Sequence, residues 1–353
     1  MSNNNLIIEQ KFTEKSILKI NFCSFWPNFD PKDNYFYHLL SRDYRVEISN
    51  KPDFLIYSKF GFDFLKYNCI RIFYTAENAR PNFNQCDFAF SFDHDDSGNR
   101  NYRLPFYAIM TSALEKLLGP KPDYQEIISQ KSGFCNMVVS NGNALERIEF
   151  FHKLSRYKKV DSGGRYLNNI GGPVKDKQAF VRKYKFTIAF ENDSYPGYTT
   201  EKIFHAMLCH SIPIYWGNPR IAEDFNPESF INIHDFQNFE DAIEYVKKVD
   251  QDELLYRKYL EASYFKNNQL NPCFDRINVL NKFKEIIESK GRIQPIAKTL
   301  RGHYGTLQRF KERYSWLLKS YLKKSYTGYL PRNSNIALFQ KKKISYKPDR
   351  AKV

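Results

Sequence analysis

The sequence predicts an α/β fold made of two domains, each built around a parallel β-sheet. Short apolar stretches rich in β-branched and aromatic residues alternate along the chain with segments of helical periodicity, which is the pattern of strand–helix–strand units. The length of 353 residues is enough for two domains of ordinary size, each with its own core. No stretch of about eighteen consecutive apolar residues occurs, so the sequence predicts no membrane-spanning helix.

The first domain is predicted over residues 1–130. Its predicted strands are residues 17–22, 45–49, 54–57, 69–75 and 87–92, and its first predicted helix is residues 32–42. Glycine and proline then cluster at 119–122, and Ser132 and Gly133 follow shortly after. Because such residues interrupt regular structure, the domain boundary is predicted between these two points.

The second domain is predicted over residues 131–299 and begins with a strand at 134–139. A turn at 140–143 leads into a helix at 144–157. Its apolar face is predicted to hold four residues at helical spacing, Leu145, Ile148, Phe151 and Leu154. The loop at 161–164 is expected at the same edge of the sheet as the turn. Later helices are predicted at 240–249, 251–265 and 277–289.

The most informative stretch is residues 184–219. It predicts a buried strand at 184–190, a loop rich in Asn, Asp, Ser, Pro and Gly at 191–200, and a second strand at 211–217. Between them, Thr199 or Thr200 is predicted to cap a helix. One face of that helix is predicted to hold Ile203, Ala206, Met207 and His210. Such a unit has parallel strands and a right-handed crossover, so its loop lies at the carboxyl edge, where ligands of these sheets bind.

Two residues in the first turn of this helix suit a nucleotide-type ligand. A helix N-terminus favours anions, Lys202 adds a positive charge for phosphate, and Glu201 can accept hydrogen bonds from sugar hydroxyls. The helix dipole also favours an acidic side chain at Glu201, which is a purely structural interpretation. The residue pattern alone leaves both interpretations open.

The charge of the chain is unevenly distributed. The net charge is +15, yet from Ile296 onward fifteen Lys and Arg residues stand against two acidic ones, which leaves only +2 for the rest. The six cysteines are scattered, without a C-x-x-C pair or a cluster typical of metal sites. The N-terminal residues lack the pattern of a signal peptide. A reducing cytoplasm is the compartment that fits best.

Residues 300–353 are predicted to form a basic amphipathic tail. Apolar and aromatic residues recur there at spacings of three and four, at Leu300, Tyr304, Leu307, Phe310, Tyr314, Leu317 and Tyr321. With the many Lys and Arg residues around them, this pattern is typical of helices that bind an anionic membrane surface. A helix that packs on the body with a solvated basic face is the alternative. A basic nucleic-acid-binding protein is a further alternative, since the tail is basic and aromatic. Nucleic acid is nevertheless not predicted as a partner, because the positive charge is confined to the tail and the body of the chain is nearly neutral.

Three motifs in order carry a resemblance to a known family. They are Phe190-Glu191-Asn192, Tyr198-Thr199-Thr200-Glu201-Lys202 and Ile212-Pro213-Ile214-Tyr215-Trp216-Gly217. This arrangement resembles the signature of the α-1,3/4-fucosyltransferases, glycosyltransferase family ten. Further matches at 74–78 and around Arg147 extend the resemblance over about residues 72–230. The sequence departs from the family after Asn192, so no role is carried over to Asp193 and Ser194.

The resemblance implies a GT-B architecture, in which two Rossmann-like domains face a cleft, the first binding the acceptor and the second GDP-fucose. It implies an inverting enzyme that transfers L-fucose from GDP-fucose to a Gal–GlcNAc-type glycan in α-1,3 linkage. Without the N-terminal anchor of Golgi relatives, a bacterial enzyme of lipopolysaccharide O-antigen synthesis is expected. Its expected location is cytoplasmic, peripheral on the inner face of the membrane. An α-1,4 linkage or another acceptor stays open as an alternative.

The resemblance also implies roles for individual residues. Glu77 matches the catalytic glutamate that takes the proton from the acceptor hydroxyl, in an element where Ala76 stands in place of the family's glycine. Arg147 and Lys202 match the cations that contact the donor phosphates, and the planar fork of arginine suits phosphate oxygens.

Further residues are expected around the donor. Asn192, Tyr198 and Glu201 match positions that line the GDP-fucose pocket, and Glu191 is expected near the fucose. Ser140 and Asn141 precede the helix of Arg147 and are also expected to bind the donor, and these two complete the predicted set of nine.

No essential metal or cofactor is implied, because the family lacks an essential D-x-D metal site and the two cations act in its place. Stimulation by a divalent cation is compatible with this. The acidic group at 93–96 superficially resembles a D-x-D motif, but it is interpreted as a loop on the acceptor side.

Overall fold

The computed structural model describes residues 15–303 together with 305, 307, 311, 314 and 315. Met1–Thr306 forms one compact unit, and Leu307–Val353 forms a second. Within the described residues of the first unit the chain builds two separate sheets, and every strand pairing in them is parallel. The predicted α/β class is therefore confirmed.

The strands of the first sheet are β1 (Ile17–Cys23), β2 (Arg45–Ile48), β3 (Phe54–Tyr57), β4 (Ile70–Tyr74), β5 (Phe88–Ser91) and β6 (Asn101–Arg103). They lie in the order β2-β1-β3-β4-β5-β6. The strands of the second sheet are β7 (Gly133–Met137), β8 (Val160–Ser162), β9 (Tyr184–Phe190), β10 (Ile212–Trp216) and β11 (Ile231–Asn232). Their order is β11-β10-β9-β7-β8.

The α-helices of the described residues up to Glu288 are α1 (Tyr35–Leu40), α2 (Thr111–Leu118), α3 (Tyr124–Ser129), α4 (Leu145–Leu154), α5 (Lys177–Val181), α6 (Lys202–Leu208), α7 (Phe239–Gln251), α8 (Glu253–Glu261) and α9 (Arg276–Glu288). We call the first sheet with the helices packed on it the first lobe, and the second sheet with its helices the second lobe.

Burial on both faces explains why the central strands are continuous apolar runs in the sequence. Every residue of β3 and β4 is buried, as are six of the seven residues of β9. The core of the first lobe also continues into the second: Phe204 and Met207 of α6 belong to the same buried cluster as Phe36 and Phe283. The two lobes are thus joined by apolar packing.

Three strands were missing from the prediction, β6, β8 and β11. Each has only two or three residues, and each contains polar side chains, Asn-Tyr-Arg in β6, Val-Asp-Ser in β8 and Ile-Asn in β11. Such short, partly polar strands form because a neighbouring strand offers backbone partners. Their own hydrophobic pattern does not predict them.

The buried face of α4 differs from the predicted one. Leu145 is 73% exposed, whereas Arg147, Phe150, Phe151 and Leu154 are buried. The helix is rotated because Phe150 packs on Phe190 of β9, with ring centroids 4.9 Å apart, and because Arg147 bonds to the end of the same strand.

The start and end of α6 also differ from the prediction. The N-cap is Glu201, without a side-chain hydrogen bond, so neither Thr199 nor Thr200 caps the helix. The hydroxyl of Thr200 bonds to Glu191 instead. His210 lies beyond the last helical residue, with a φ of 50°.

Helix α9 packs on the first sheet, although the sequence assigned residues 277–289 to the second domain. Phe283 stacks on Phe90 of β5, with centroids 4.4 Å apart, and contacts Phe36 of α1 at 5.8 Å. Such contacts join residues far apart in the chain, which a local pattern does not reveal. The predicted domain boundaries themselves stay a prediction.

Much of the predicted tail lies outside the described residues, including Tyr304, Phe310, Leu317 and Tyr321 of its apolar stripe. The described residues at 300–303, 305, 307, 311, 314 and 315 are helical. Leu300, Leu307 and Tyr314 of the stripe are exposed. Nowhere among the described residues does a helix combine the length and the apolar character needed to cross a bilayer.

A buried ion pair connects the two lobes. Arg103, at the end of β6, donates to both carboxylate oxygens of Asp224, at 2.9 and 2.5 Å, and only 10% and 2% of the two side chains is exposed. Asn271 donates a further hydrogen bond to Asp224 at 3.3 Å. Each charge is therefore compensated where water cannot solvate it.

Arg103→Ala is expected to lower the free energy of unfolding by about 3 kcal/mol, because it leaves the Asp224 carboxylate buried without its cation. Arg45→Ala is the matched control, since Arg45 pairs with Glu47 at 3.4 Å on the surface, where a pair contributes less than about 1 kcal/mol. Urea unfolding of both variants measures the difference. Equal losses would show that the Arg103 pair is not a buried link.

Candidate active site

A cleft of about 480 Å³ lies at the carboxyl ends of both sheets. The first lobe lines it with Trp26, Phe60, Ala76, Glu77 and Phe106. The second lobe lines it with Val138, Val139, Ser140, Asn141, Arg147, Lys177, Asn192, Tyr198, Thr200, Glu201 and Lys202. Eight of the nine predicted site residues therefore meet in one cavity, because the loops after parallel strands share one edge of the sheet. The ninth, Glu191, does not line it.

Glu77 follows β4 in a segment fixed by its backbone. Its N–H donates to Thr75 Oγ1 at 3.2 Å, and its carbonyl accepts from the N–H of Ala79 at 2.6 Å. No donor in the described part of the chain forms a hydrogen bond or ion pair with its carboxylate. The carboxylate is therefore held at the cleft by the turn and left free to accept a proton.

The Glu191 carboxylate is fully buried behind the wall of the cleft. It accepts from the backbone N–H and the hydroxyl of Thr200, both at 2.7 Å, and from Lys202 Nζ at 2.8 Å. Glu191 is thus separated from the cleft by its own loop, and the expectation that it lies near the fucose stays a prediction. Its oxygens are taken up by donors of its own loop, and it serves to hold Thr200 and Lys202 in place.

Lys202, the first residue of α6, lies between Glu191 and the cleft. Its ammonium donates to Glu191 and to Thr200 Oγ1, both at 2.8 Å, and 18% of its side chain is exposed. Burial lowers the pKa of Lys202, but Glu191 and Glu201 outweigh burial and raise it above its ordinary value. The ammonium therefore stays charged, and one of its three N–H donors has no bond within its loop.

Arg147 lies below the same wall, with 1% of its surface exposed. Nη2 donates to the carbonyl of Phe190 at 2.9 Å and to Asn192 Oδ1 at 2.7 Å, and Nη1 donates to the carbonyl of Asn141 at 3.3 Å. Burial lowers the pKa of Arg147, and Glu191 opposes that shift. Arg147 thus joins the loops after β7 and β9 and places a positive charge beneath them.

Tyr198 and Asn192 are both fixed in the loop that follows β9. Asn192 is held by Arg147, and the ring of Tyr198 packs on Phe92 with centroids 5.4 Å apart. Burial, and then the carboxylates of Glu191 and Glu77, raise the pKa of Tyr198 well above its ordinary value. The phenol therefore stays protonated.

Lys177 lines the cleft but was not among the predicted residues. Lys177 is the first residue of α5, and Asp176 caps this helix by accepting a hydrogen bond from the N–H of Ala179 at 3.0 Å. The capping residue Asp176 is the sequence feature that could have indicated a helix start here. Its ammonium lies 3.3 Å from Nδ1 of His205. Burial and the charge of Lys177 lower the pKa of His205 to about 4, so the imidazole is neutral at pH 7.

The charge of this wall is predominantly positive. Among the described residues that line it, Arg147, Lys177 and Lys202 stand against the single carboxylate of Glu201. Burial raises the pKa of Glu201, but Lys202 and Lys177 outweigh burial and lower it, so Glu201 stays ionised. Three cations around one carboxylate suit an anionic ligand that carries hydroxyls.

Ser140 and Asn141 lie in the turn after β7, as predicted. The side-chain oxygen of Asn141 accepts from the N–H of Asn143 at 2.9 Å, which closes the turn ahead of α4. The backbone carbonyl of Asn141 binds Arg147.

Asn218 shapes the loop from behind and was missed by sequence reasoning. Fully buried, it accepts from the N–H groups of Gly197 and Arg220 at 2.7 and 2.8 Å and donates to Thr199 Oγ1 at 3.1 Å. Gly197 has a φ of 86°, and a Cβ there would lie 2.2 Å from the carbonyl of Phe92, so only glycine fits. The signal for Asn218 was its place directly after the Ile-Pro-Ile-Tyr-Trp-Gly motif.

The acidic group at 93–96 does not line the cleft. Asp93 pairs with Arg80 at 3.2 Å, and Asp96 accepts from the N–H of Gly98 at 2.9 Å. In the part of the chain that the structure describes, His, Cys, Asp and Glu side chains nowhere gather in threes as a metal site requires. That the reaction needs no metal stays a prediction.

Two family descriptions match the sequence. Residues 20–110 match the "Alpha-(1,3)-fucosyltransferase FucT N-terminal domain", and residues 128–276 match the "Glycosyltransferase family 10 (fucosyltransferase) C-term". The two matches cover most of both lobes and every residue that lines the cleft.

Named relatives include bacterial and animal enzymes. The α-(1,3)-fucosyltransferase FucT of Helicobacter pylori is 36% identical over 270 residues, 65% of this chain and 56% of the relative. A 3-galactosyl-N-acetylglucosaminide 4-α-L-fucosyltransferase of Bos taurus is 34% identical over 136 residues, 37% of each chain. The match thus spans about half the length of the H. pylori protein and about a third of the bovine one.

Solved structures share the fold. A crystal structure of an α1,3-fucosyltransferase with GDP-fucose superposes with a TM-score of 0.66 at 31% identity, covering 80% of this chain and 94% of that one. A crystal structure of an α1,3-fucosyltransferase with GDP gives a TM-score of 0.67 at 30% identity, covering 81% and 94%. With two parallel sheets in this arrangement, the fold agrees with the predicted GT-B architecture.

Acidification is expected to destabilise the fold partly through His205. Its pKa is about 4 in the folded chain, against 6.5 for an ordinary histidine, so between these values the unfolded state binds more protons. Its contribution to the free energy of unfolding is complete above pH 6.5 and is lost as the pH falls towards 4.

His205→Asn provides the test, because its amide oxygen can still accept from Lys177 but does not titrate. Urea unfolding between about pH 4.5 and pH 7 is expected to show a weaker dependence on pH in the variant than in the wild type. Parallel curves for the two proteins would contradict the shifted pKa.

Proposed function

This chain belongs to glycosyltransferase family 10, and on that premise we propose that it transfers L-fucose from GDP-fucose to a glycan hydroxyl in α-1,3 linkage, with inversion at the anomeric carbon. The observation that supports this best is the opposition of charges across the cleft. The carboxylate of Glu77, for which the described residues provide no donor, lies on one wall, and a cluster of three cations lies on the other.

The donor occupies the second lobe in this proposal. The pyrophosphate of GDP-fucose lies against Lys202, Lys177 and the loop above Arg147, where positive charge is fixed before the substrate arrives. Glu201 accepts hydrogen bonds from sugar hydroxyls, and the protonated phenol of Tyr198 donates one. No metal ion is assigned, since these cations stabilise the departing phosphate.

Glu77 acts as the base. An acceptor hydroxyl attacks the anomeric carbon of fucose, its proton passes to the Glu77 carboxylate, and a new C–O bond forms. The bond from that carbon to the phosphate oxygen breaks, and GDP leaves with the electron pair. Attack on the face opposite the leaving group inverts the anomeric configuration.

The acceptor is proposed to be a Gal–GlcNAc-type glycan in bacterial lipopolysaccharide. The name of the bovine relative supports the disaccharide, since it states a galactosyl-N-acetylglucosaminide as the acceptor. The same name states a 4-linkage, so an α-1,4 product is the second candidate. Incubation with GDP-fucose and a small panel of such glycans, followed by NMR of the product linkage, tests the function and separates the two.

The basic tail is proposed to hold the enzyme at an anionic membrane surface, on the cytoplasmic side. The exposure of Leu300, Leu307 and Tyr314 supports this, together with the excess of Lys and Arg after Ile296. Each basic residue close to such a surface contributes about 1 kcal/mol.

Glu77→Gln is expected to reduce transfer by about 10²- to 10⁴-fold while GDP binding is retained, because the amide keeps the shape of the side chain but accepts no proton. Glu126→Gln, an exposed exchange on α3, is the matched control and is expected to leave turnover unchanged. Turnover is measured as GDP release and binding by calorimetry. Normal transfer by Glu77→Gln would exclude Glu77 as the base.

Deletion of residues 307–353 is expected to abolish binding to vesicles that contain phosphatidylglycerol, with little change in turnover of a soluble glycan. The cut is chosen because Gln85 still donates to the carbonyl of Gly305, so the first compact unit stays whole. Phosphatidylcholine vesicles are the control, and co-sedimentation measures both. Unchanged binding after the deletion would exclude the tail as the membrane element.

A further inference from the structure

The first-lobe wall of the cleft differs in chemistry from the second-lobe wall. Beside Glu77 and Ala76 it consists of three aromatic rings, Trp26, Phe60 and Phe106. They come from the loops after β1, β3 and β6, at the carboxyl edge of the first sheet. The donor motifs all lie on the opposite wall, so these rings are not explained by phosphate binding.

The loop that carries Trp26 has an unusual backbone. Ser24 and Asn28, two residues before and two after Trp26, have φ values of 58° and 65°. Residues other than glycine seldom adopt this left-handed region, and where they do the surrounding structure holds them there, often at a functional site. The loop is therefore shaped to present the segment between them.

The loops of Trp26 and Phe60 are tied to each other. The N–H of Phe60 donates to the carbonyl of Ser24 at 2.9 Å. A Cβ atom at position 61, where the chain has glycine, would lie 3.1 Å from Ser24 Oγ, so the two loops are in close contact there. The two rings are thereby kept side by side, with centroids 6.5 Å apart and planes at 87°.

Both rings keep surface for a ligand. Phe60 is 46% exposed, an unusual exposure for so large an apolar side chain, and Trp26 is half-buried. In the described part of the chain the indole N–H of Trp26 forms no hydrogen bond. Phe29 contacts Trp26 edge-to-face, with centroids 5.5 Å apart, and does not line the cleft.

We propose that Trp26 and Phe60 form the binding subsite for the acceptor glycan. The C–H face of a pyranose ring packs on these two rings, the indole N–H donates to one of its hydroxyls, and the attacking hydroxyl is delivered to Glu77 in the same cavity. Apolar walls with a few polar groups are typical of sites that bind a neutral ring by shape. The inference rests on the proposed function and names the acceptor side of the same site.

The test is the kinetics of the full chain with varied acceptor glycan and saturating GDP-fucose. Phe60→Ala and Trp26→Ala are each expected to raise the KM for the acceptor by about tenfold or more, since truncation of a central aromatic contact is among the costliest changes in a binding site. Trp26→Phe, which keeps a ring, is expected to recover most of the loss. Leu254→Ala, which truncates an exposed apolar side chain on α8 outside the cleft, is the matched control and is expected to leave the acceptor KM within about twofold of wild type.

GDP-fucose hydrolysis without acceptor, and the KM for GDP-fucose, separate this inference from the proposed function. Both quantities are expected to be unchanged in Phe60→Ala. Because the ring of Phe60 is partly exposed, this variant is expected to fold even if Trp26→Ala proves unstable. A normal acceptor KM in Phe60→Ala would overturn this inference and leave the proposed function intact. A raised KM for GDP-fucose would do the same, because it would show that the rings bind the guanine of the donor. A wild-type chain that neither binds nor turns over GDP-fucose would overturn the proposed function and this inference with it.

Discussion

The buried carboxylate of Glu191 is the constraint on which the rest of the site depends. A fully buried carboxylate is costly unless cations and donors satisfy it. Here the N–H and hydroxyl of Thr200 and the ammonium of Lys202 do so, which draws the end of the loop and the start of α6 onto the end of β9. Gly217 completes the arrangement, because a Cβ there would lie 2.5 Å from Glu191 Cγ. The positions of the other groups in the loop follow from this one pairing.

A second set of contacts connects that loop to the opposite wall. Asn78, next to Glu77, donates to Asp193 Oδ2 at 2.8 Å. The guanidinium of Arg80 lies over the ring of Tyr195, 3.1 Å from its centroid. The segment that carries the carboxylate of the first lobe is therefore bonded to the loop that carries Asn192 and Tyr198 of the second. Asp193, to which no role was carried over from the family, belongs to this connection between the lobes.

The two walls of the cleft present different kinds of functional group. The second lobe offers fixed positive charge, and preorganised charge of this kind stabilises an anion without the reorganisation that water would require. The first lobe offers a carboxylate that has no donor in the part of the chain that the structure describes, together with a surface of aromatic rings that suits a neutral ring. Hydrogen bonds behind each wall hold its groups in place. In the second lobe they are made by Arg147, and in the first lobe by the turn at Thr75.

The sequence by itself determined the α/β class and the central strands, because buried parallel strands are continuous apolar runs. Through the family resemblance it named eight of the residues that line the cleft, whose loops converge at one edge of the sheet. It also placed Glu77, Arg147 and Lys202 in one site. Only the tertiary structure showed that Glu191 supports the site from behind, that Lys177 joins it, that α4 turns Arg147 inward, and that α9 packs on the first sheet. Each of these four features depends on contacts between residues that are distant in the chain. A local sequence pattern does not reveal which buried charge or ring a given residue will contact in the folded protein.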